Sequence, residues 1–343
     1  MMMTNAPTPA RILEVGFGFW PAKVLLSAVE LGVFTTLSGR AMTGRDLGEA
    51  LGLHDRADPD FFDALVALKF LEREGDGDGA LYRNTEETAI FLDRHGESYI
   101  GGILEMANAR LYRFWGDLTE ALRTGRPQNE VKHSGKPMFA ELYSDPKRLE
   151  QFMDAMTGIS LPNFQAFAKK FDFSRYETLC DIGGATGQLS LIVAKEHRHL
   201  RCTTADLPVV KPIAERRIAA AGLSDRVTAA AVDFFADPLP RADVITMGMI
   251  LHDWNLEKKI QLIQAAYDAL PEGGAFIAIE NLIDDARREN AFGLLMSLNM
   301  LIEFGDAFDF TGADFSGWCR SVGFRRIEVI PLAGPASAAI AYK

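Results

Sequence analysis

Residues 181–187, Asp-Ile-Gly-Gly-Ala-Thr-Gly, stand between two apolar runs: Leu179-Cys180 before them, and Leu189 to Ala194 after. This arrangement reads as a strand, a glycine turn and a helix. Glycine lets backbone N–H groups approach a ligand closely, and a helix N-terminus adds positive partial charge. Many nucleotide binders use such a turn, so the carboxylates that follow must identify the ligand.

From Leu179 onward strand and helix patterns alternate. The spacing predicts strands at 178–182, 201–205, 227–231, 243–248 and 275–280. It also predicts a helix after the polar cap Asn255, ending at Pro271-Glu272-Gly273-Gly274. Alternation of this kind implies a parallel sheet covered on both faces, with its ligand beyond the carboxyl ends of the strands. Asp206 ends the second of these strands, where a carboxylate can accept ribose hydroxyls. Asp233 and Phe234 end the third, where a carboxylate and a ring suit adenine.

The N-terminal part reads differently. A helical pattern over Ile12–Leu37 is followed by a short helix capped by Thr43 and another begun by Pro59. A glycine-rich turn at 74–79 and a short strand at Leu81-Tyr82-Arg83 complete a winged-helix pattern. A winged helix raises the question of DNA binding. The would-be recognition helix, 58–71, carries Asp58, Asp60 and Asp63 against Lys69 alone, and the whole chain has a net charge of −11. Both facts oppose binding to nucleic acid or to anionic membranes. The apolar face of Phe17, Phe19, Trp20, Leu25 and Leu26 suits a second subunit better. No uninterrupted apolar run is expected to span a bilayer, and the first residues carry no secretory signal pattern. Three scattered cysteines, Cys180, Cys202 and Cys319, suit reduced thiols in a cytoplasm.

Taken in order, the 181–187 turn, Asp206-Leu207-Pro208, Asp233-Phe234-Phe235, Leu251-His252-Asp253-Trp254 and Leu270-Pro271-Glu272-Gly273-Gly274 resemble the S-adenosylmethionine-dependent O-methyltransferases. The similarity is to the caffeic acid and acetylserotonin O-methyltransferase type, and it runs over nearly the whole chain. It implies a class I Rossmann-like α/β domain at 171–343, a helical linker at 101–170 that contributes to the acceptor pocket, and a winged-helix dimerisation domain at 1–100. The implied assembly is a homodimer, and the implied cofactor is S-adenosylmethionine with no metal.

The resemblance also implies roles for residues. Asp181, Gly183, Gly184 and Gly187 would form the cofactor turn, Asp206 and Leu207 would hold the ribose, and Asp233 and Phe234 would address adenine. Gly248 stands where many relatives carry a cation. His252 is the implied general base, with Glu280 orienting it. Asp309 stands for a second carboxylate that is usually a glutamate followed by Arg-Thr; here it is shorter and followed by Phe310. Phe152, Met156, Met249 and Met300 would line the acceptor pocket, and Arg110 and Arg113 could pair with an acceptor carboxylate. Methyl transfer to a hydroxyl needs a base to take its proton. Transfer to a thioether needs none, so sulfur, nitrogen or carbon acceptors remain alternatives on sequence alone. A non-catalytic regulator is a further one.

Overall fold

The structure, a computed structural model, describes residues 7–96, 98–135 and 146–343. Residues 1–6 of the expected dimerisation domain and 136–145 of the expected helical linker lie outside them. The chain divides into two compact units, Met1–Arg113 and Phe114–Lys343.

In the first unit the expected Ile12–Leu37 helix is broken into Ala10–Gly16, Phe19–Leu31 and Val33–Thr36. Gly32 makes the second break, with φ +76°, a conformation glycine adopts without strain. Thr43 caps the helix Gly44–Leu51 by accepting from the Asp46 N–H. Pro59 opens the helix Asp58–Ala67. Strands β1 (Met42–Thr43), β2 (Leu71–Glu74) and β3 (Leu81–Asn84) form an antiparallel sheet in the order β1-β3-β2. Phe34, Leu47, Phe62 and Leu65 fill the core between them. Asp60 and Asp63 of the helix Asp58–Ala67 are paired with Arg56 and Arg73.

One segment bears on the expectation that no uninterrupted apolar run spans a bilayer. Ala10–Leu31 is long and apolar enough to cross a membrane by length and composition, with hydropathy 1.5. Glu14 and Lys23 interrupt it, so its longest charge-free stretch is Val15–Ala22, and the helix breaks between Gly16 and Phe19. Ile12, Leu13, Val15, Phe17, Phe19 and Trp20 are all exposed within this unit.

The second unit holds a sheet of seven strands: β4 (Thr178–Ile182), β5 (Arg201–Asp206), β6 (Val227–Ala231), β7 (Val244–Gly248), β8 (Ala275–Glu280), β9 (Arg326–Pro331) and β10 (Ser337–Tyr342). The order is β6-β5-β4-β7-β8-β10-β9. The first five pair in parallel, whereas β10 runs antiparallel to both β8 and β9. The sheet is therefore mixed, not parallel throughout. β8 and β10 show why it can be covered on both sides. Phe276 and Ala278 point into one apolar cluster, Ala275, Ile277 and Ile279 into the other, following the two-residue period of a strand. All three cysteines are buried free thiols.

The order of connection fixes where a ligand can sit. From β4 the chain first steps outward through β5 and β6, then returns to the other side of β4 to lay down β7 and β8. This reversal opens a crevice at the carboxyl ends of β4 and β7, the topological switch point of a doubly wound sheet.

Candidate active site

The glycine turn lies at that crevice, between β4 and the helix Gln188–Glu196. Gly183 and Gly187 have φ of +68° and +78°, and Ala185 also lies in the left-handed region at φ 48°. Space is as demanding as conformation. A Cβ on Gly183 would come within 2.3 Å of the Ile250 side chain, and one on Gly184 within 2.2 Å of Thr204 Oγ1 and 2.7 Å of Asp181 Oδ2. Asp206 fixes the turn from the neighbouring strand. Its Oδ2 accepts from the Ala185 N–H at 2.9 Å and its Oδ1 from the Leu207 N–H at 2.7 Å. Asp206 is half-buried, and each of its oxygens accepts one of these bonds, so its carboxylate has lone pairs left for a ligand.

Asp181 has a different place. It is buried beneath the turn, and its Oδ1 accepts from Thr246 Oγ1 at 2.7 Å. Burial, with the charge of Asp206 adding to it, pushes its carboxyl up to about 7. Phe234 borders the would-be Cβ of Gly183 at 3.9 Å. Phe234 and Phe235 meet edge-on, and Phe235 packs against Trp254 at 4.6 Å between ring centres. The Asp233 carboxylate accepts from the Phe235 N–H at 3.0 Å, which shapes this aromatic corner. Phe164 lies beside Gly248, 3.4 Å from where a Cβ would stand.

His252 lies on the short 3-10 turn Leu251–Asp253 that follows β7. The turn is held by Glu280, the last residue of β8, whose Oε1 accepts from the N–H of Leu251 at 3.0 Å and of His252 at 3.4 Å. Glu280 thus grips the backbone of the turn. The ring has two other neighbours: Nδ1 is 3.4 Å from Asp309 Oδ1, and Nε2 is 3.3 Å from Asp253 Oδ1. His252, Glu280 and Asp309 are all buried, and their polar atoms gather within 4.8 Å of one another. Asp309 reaches the ring despite its short side chain because its loop is drawn in, with its N–H donating to Ser297 Oγ at 3.2 Å.

The electrostatics of this cluster oppose one another. Burial works against an imidazolium, but the carboxylates of Glu280, Asp253 and Asp309 together outweigh it and lift His252 to about 10. Burial raises Asp253 to about 6 and Glu280 to about 7, with the histidine pulling both the other way. The group is a strong, water-poor proton acceptor. It titrates as a unit.

The other sequence-derived residues are spread more widely. Phe152 packs against the cluster of Leu149, Met153, Val210 and Ile213, which Ala185 of the glycine turn and Leu207 also border. Met156 lies half-buried on the same helix, Pro146–Lys170. Met249 holds φ 55°, and its sulfur lies 3.8 Å from Asn281 Nδ2. Met300 is buried on the helix Ala291–Phe304, which also carries Ser297. Arg110, half-buried, and Arg113, exposed, belong to the first unit. The sequence reading did not single out Thr157, whose hydroxyl bonds Thr186 of the turn at 2.9 Å. It also passed over Lys259, although a lysine on the apolar stripe of a helix was a visible signal.

Comparison with known proteins matches this geometry to a family. Residues 115–325 match the O-methyltransferase domain, and residues 13–94 the O-methyltransferase dimerisation domain. The chain is 38% identical over 99% of its length, and 98% of the relative's, to the tetracenomycin polyketide synthesis 8-O-methyl transferase TcmO of Streptomyces glaucescens. It is 33% identical to a 3-hydroxy-5-methyl-1-naphthoate 3-O-methyltransferase of Streptomyces sahachiroi, covering 95% of this chain and 92% of that one. Its fold superposes on human N-acetylserotonin methyltransferase, solved in complex with S-adenosylmethionine, with a TM-score of 0.90 and 28% identity over 100% and 99% of the two chains. With a methyltransferase domain, a dimerisation domain and full-length relatives in agreement, the chain belongs to the O-methyltransferase family.

Proposed function

We propose that this O-methyltransferase moves the methyl group of S-adenosylmethionine to a phenolic hydroxyl on a fused-ring aromatic acceptor, with His252 as general base. The observation that carries the reading is the buried His252, in contact with Asp309 and Asp253 at the ligand edge of the sheet. The acceptor class follows the relatives named for a tetracenomycin and a naphthoate.

The residues at the crevice fit the cofactor. The Gly183–Gly184 cradle has no room for a Cβ, and the half-buried Asp206, at the end of β5, suits a ribose. Bound S-adenosylmethionine supplies a methyl on a sulfonium, an electrophile with its leaving group already activated. The remaining work falls to the chain. His252 takes the hydroxyl proton as the oxygen becomes nucleophilic, and Asp309 and Asp253 stabilise the imidazolium that forms. Glu280 keeps the turn in place through the backbone, and Met249 and Met300 offer an adaptable apolar wall to a flat acceptor. A thioether acceptor is not favoured, because a buried cluster of this kind has no proton to receive from one. Labelled methyl transfer to oxygen is the direct test.

The enzyme works as a homodimer in this reading, with the exposed apolar residues Ile12 to Trp20 covered by a second subunit. Analytical ultracentrifugation is expected to give a dimer, and Trp20→Glu to shift it toward monomer. A monomeric unsubstituted protein at micromolar concentration contradicts this. The unpaired thiols suit the cytoplasm.

A further inference from the structure

Lys259 is wholly buried on the helix Leu256–Ala269, on the same stripe as Leu262, Ile263 and Ala266. A buried ammonium is costly unless other groups meet it. Here its Nζ donates to the Trp254 carbonyl and lies 3.7 Å from the centre of the Phe308 ring. Trp254 belongs to the segment that carries His252, and Phe308 directly precedes Asp309. One ammonium therefore ties the turn bearing the histidine to the loop bearing its carboxylate neighbour. Asn255 closes the same joint, its Nδ2 donating to Asp306 Oδ2 at 2.8 Å.

The charged groups around Lys259 come from every side of this joint. Asp253 faces it from the turn, Glu280 from β8, and Asp306 and Asp309 from the loop. Glu303, on the helix Ala291–Phe304, acts on Asp253 in turn. His252 is the other basic group of the cluster. Burial pulls Lys259 down to about 8, and these carboxylates hold it up, so it stays mainly a cation near neutral pH. Without it, the carboxylates of Asp253, Glu280 and Asp309 would face His252 alone.

We propose that Lys259 is a positioning residue for methyl transfer, whose ammonium pins Asp309 beside His252 and offsets the charge of the buried carboxylates. This rests on reading His252 as the base. The loss of a cation makes the cluster bind a proton more tightly, on whichever member the proton lands. The working form, with neutral histidine and ionised carboxylates, is then reached only at higher pH.

The test uses the full-length enzyme and the variants Lys259→Met and Lys259→Ala, the second keeping a good helix former if the first does not fold. Two quantities are read: the pH profile of kcat/KM with a phenol, and the pH titration of the His252 ring signals in NMR, assigned by their loss in His252→Asn. Both transitions are expected to move up by about one pH unit, which lowers kcat/KM about tenfold below the transition. The KM for S-adenosylmethionine is expected to stay within about twofold, since the contacts of Lys259 itself run to Trp254, Phe308 and Phe310 and not to residues 181–187. Profiles and ring titrations that coincide with those of the unsubstituted enzyme overturn the proposal. Full turnover in His252→Asn would instead refute the base, and the ring titration would still decide the effect of Lys259.

Discussion

His252→Ala is expected to lower turnover by about 10²–10⁴, roughly 3–5 kcal/mol of barrier, while S-adenosylmethionine affinity stays within about twofold. The split follows from where the side chain lies. The imidazole is enclosed by Asp309 and Asp253, and none of the contacts that fix the glycine turn runs through it. Isothermal titration of the cofactor and steady-state kinetics of methyl transfer measure the two quantities separately. The unsubstituted enzyme should show the same group in its pH profile. A base works when neutral, and the carboxylates raise His252 to about 10. Activity should therefore fall as pH drops, the transition lying above the ordinary histidine value of about 6.5, in the neutral or the alkaline range. A variant that turns over normally, or a profile flat across both ranges, would remove the base from the mechanism.

Gly184→Ala is expected to weaken S-adenosylmethionine binding by roughly 10–100-fold and to lower the melting temperature by several degrees. The added methyl would meet Thr204 Oγ1 at 2.2 Å, Asp181 Oδ2 at 2.7 Å and the Asp181 carbonyl at 3.1 Å. None of these can retreat cheaply. Thr204 is buried in β5, and Asp181 is buried in β4 with its carboxylate bonded to Thr246. The turn must then move away from Asp206, which holds it through Ala185. Gly317→Ala is the control. It lies exposed on the helix Gly312–Val322 with nothing within 4 Å of an added Cβ, so it should stabilise the protein by about 0.5–1 kcal/mol and leave binding unchanged. Equal affinities for the two variants would mean that the turn does not depend on its missing side chain.

The strands around the turn could be read in the sequence because local and global signals agree there. Apolar runs of strand length, glycines at the tight bend and carboxylates at strand ends all name the same edge of the sheet. The antiparallel hairpin of β9 and β10 could not. Ala338, Ala339 and Ala341 are helix formers held as a strand by pairing with β8 and β9, a tertiary override of local preference. The break at Gly32 was similarly hidden, because the apolar pattern continues across it.

In the site, the family resemblance pointed to the histidine and its acids, but not to how they meet. Glu280, expected to orient His252, forms its hydrogen bonds to the backbone of the 3-10 turn after β7, a detail that depends on how that turn is folded. Asp253 had been noticed only as a flank of His252, yet it borders Nε2. Lys259 stands out in the sequence as a charge on an apolar stripe, but what it joins emerges only where Trp254 and Phe308 converge on it.

The most direct measurement is incubation with S-adenosylmethionine labelled with ¹³C on its methyl, together with hydroxylated naphthoic acids and larger fused-ring phenols, followed by NMR of the products. The account predicts a labelled aryl methyl ether on at least one acceptor and S-adenosylhomocysteine in equal amount, both lost with His252→Ala. Label on nitrogen, sulfur or carbon, or ether formation that survives His252→Ala, would contradict it.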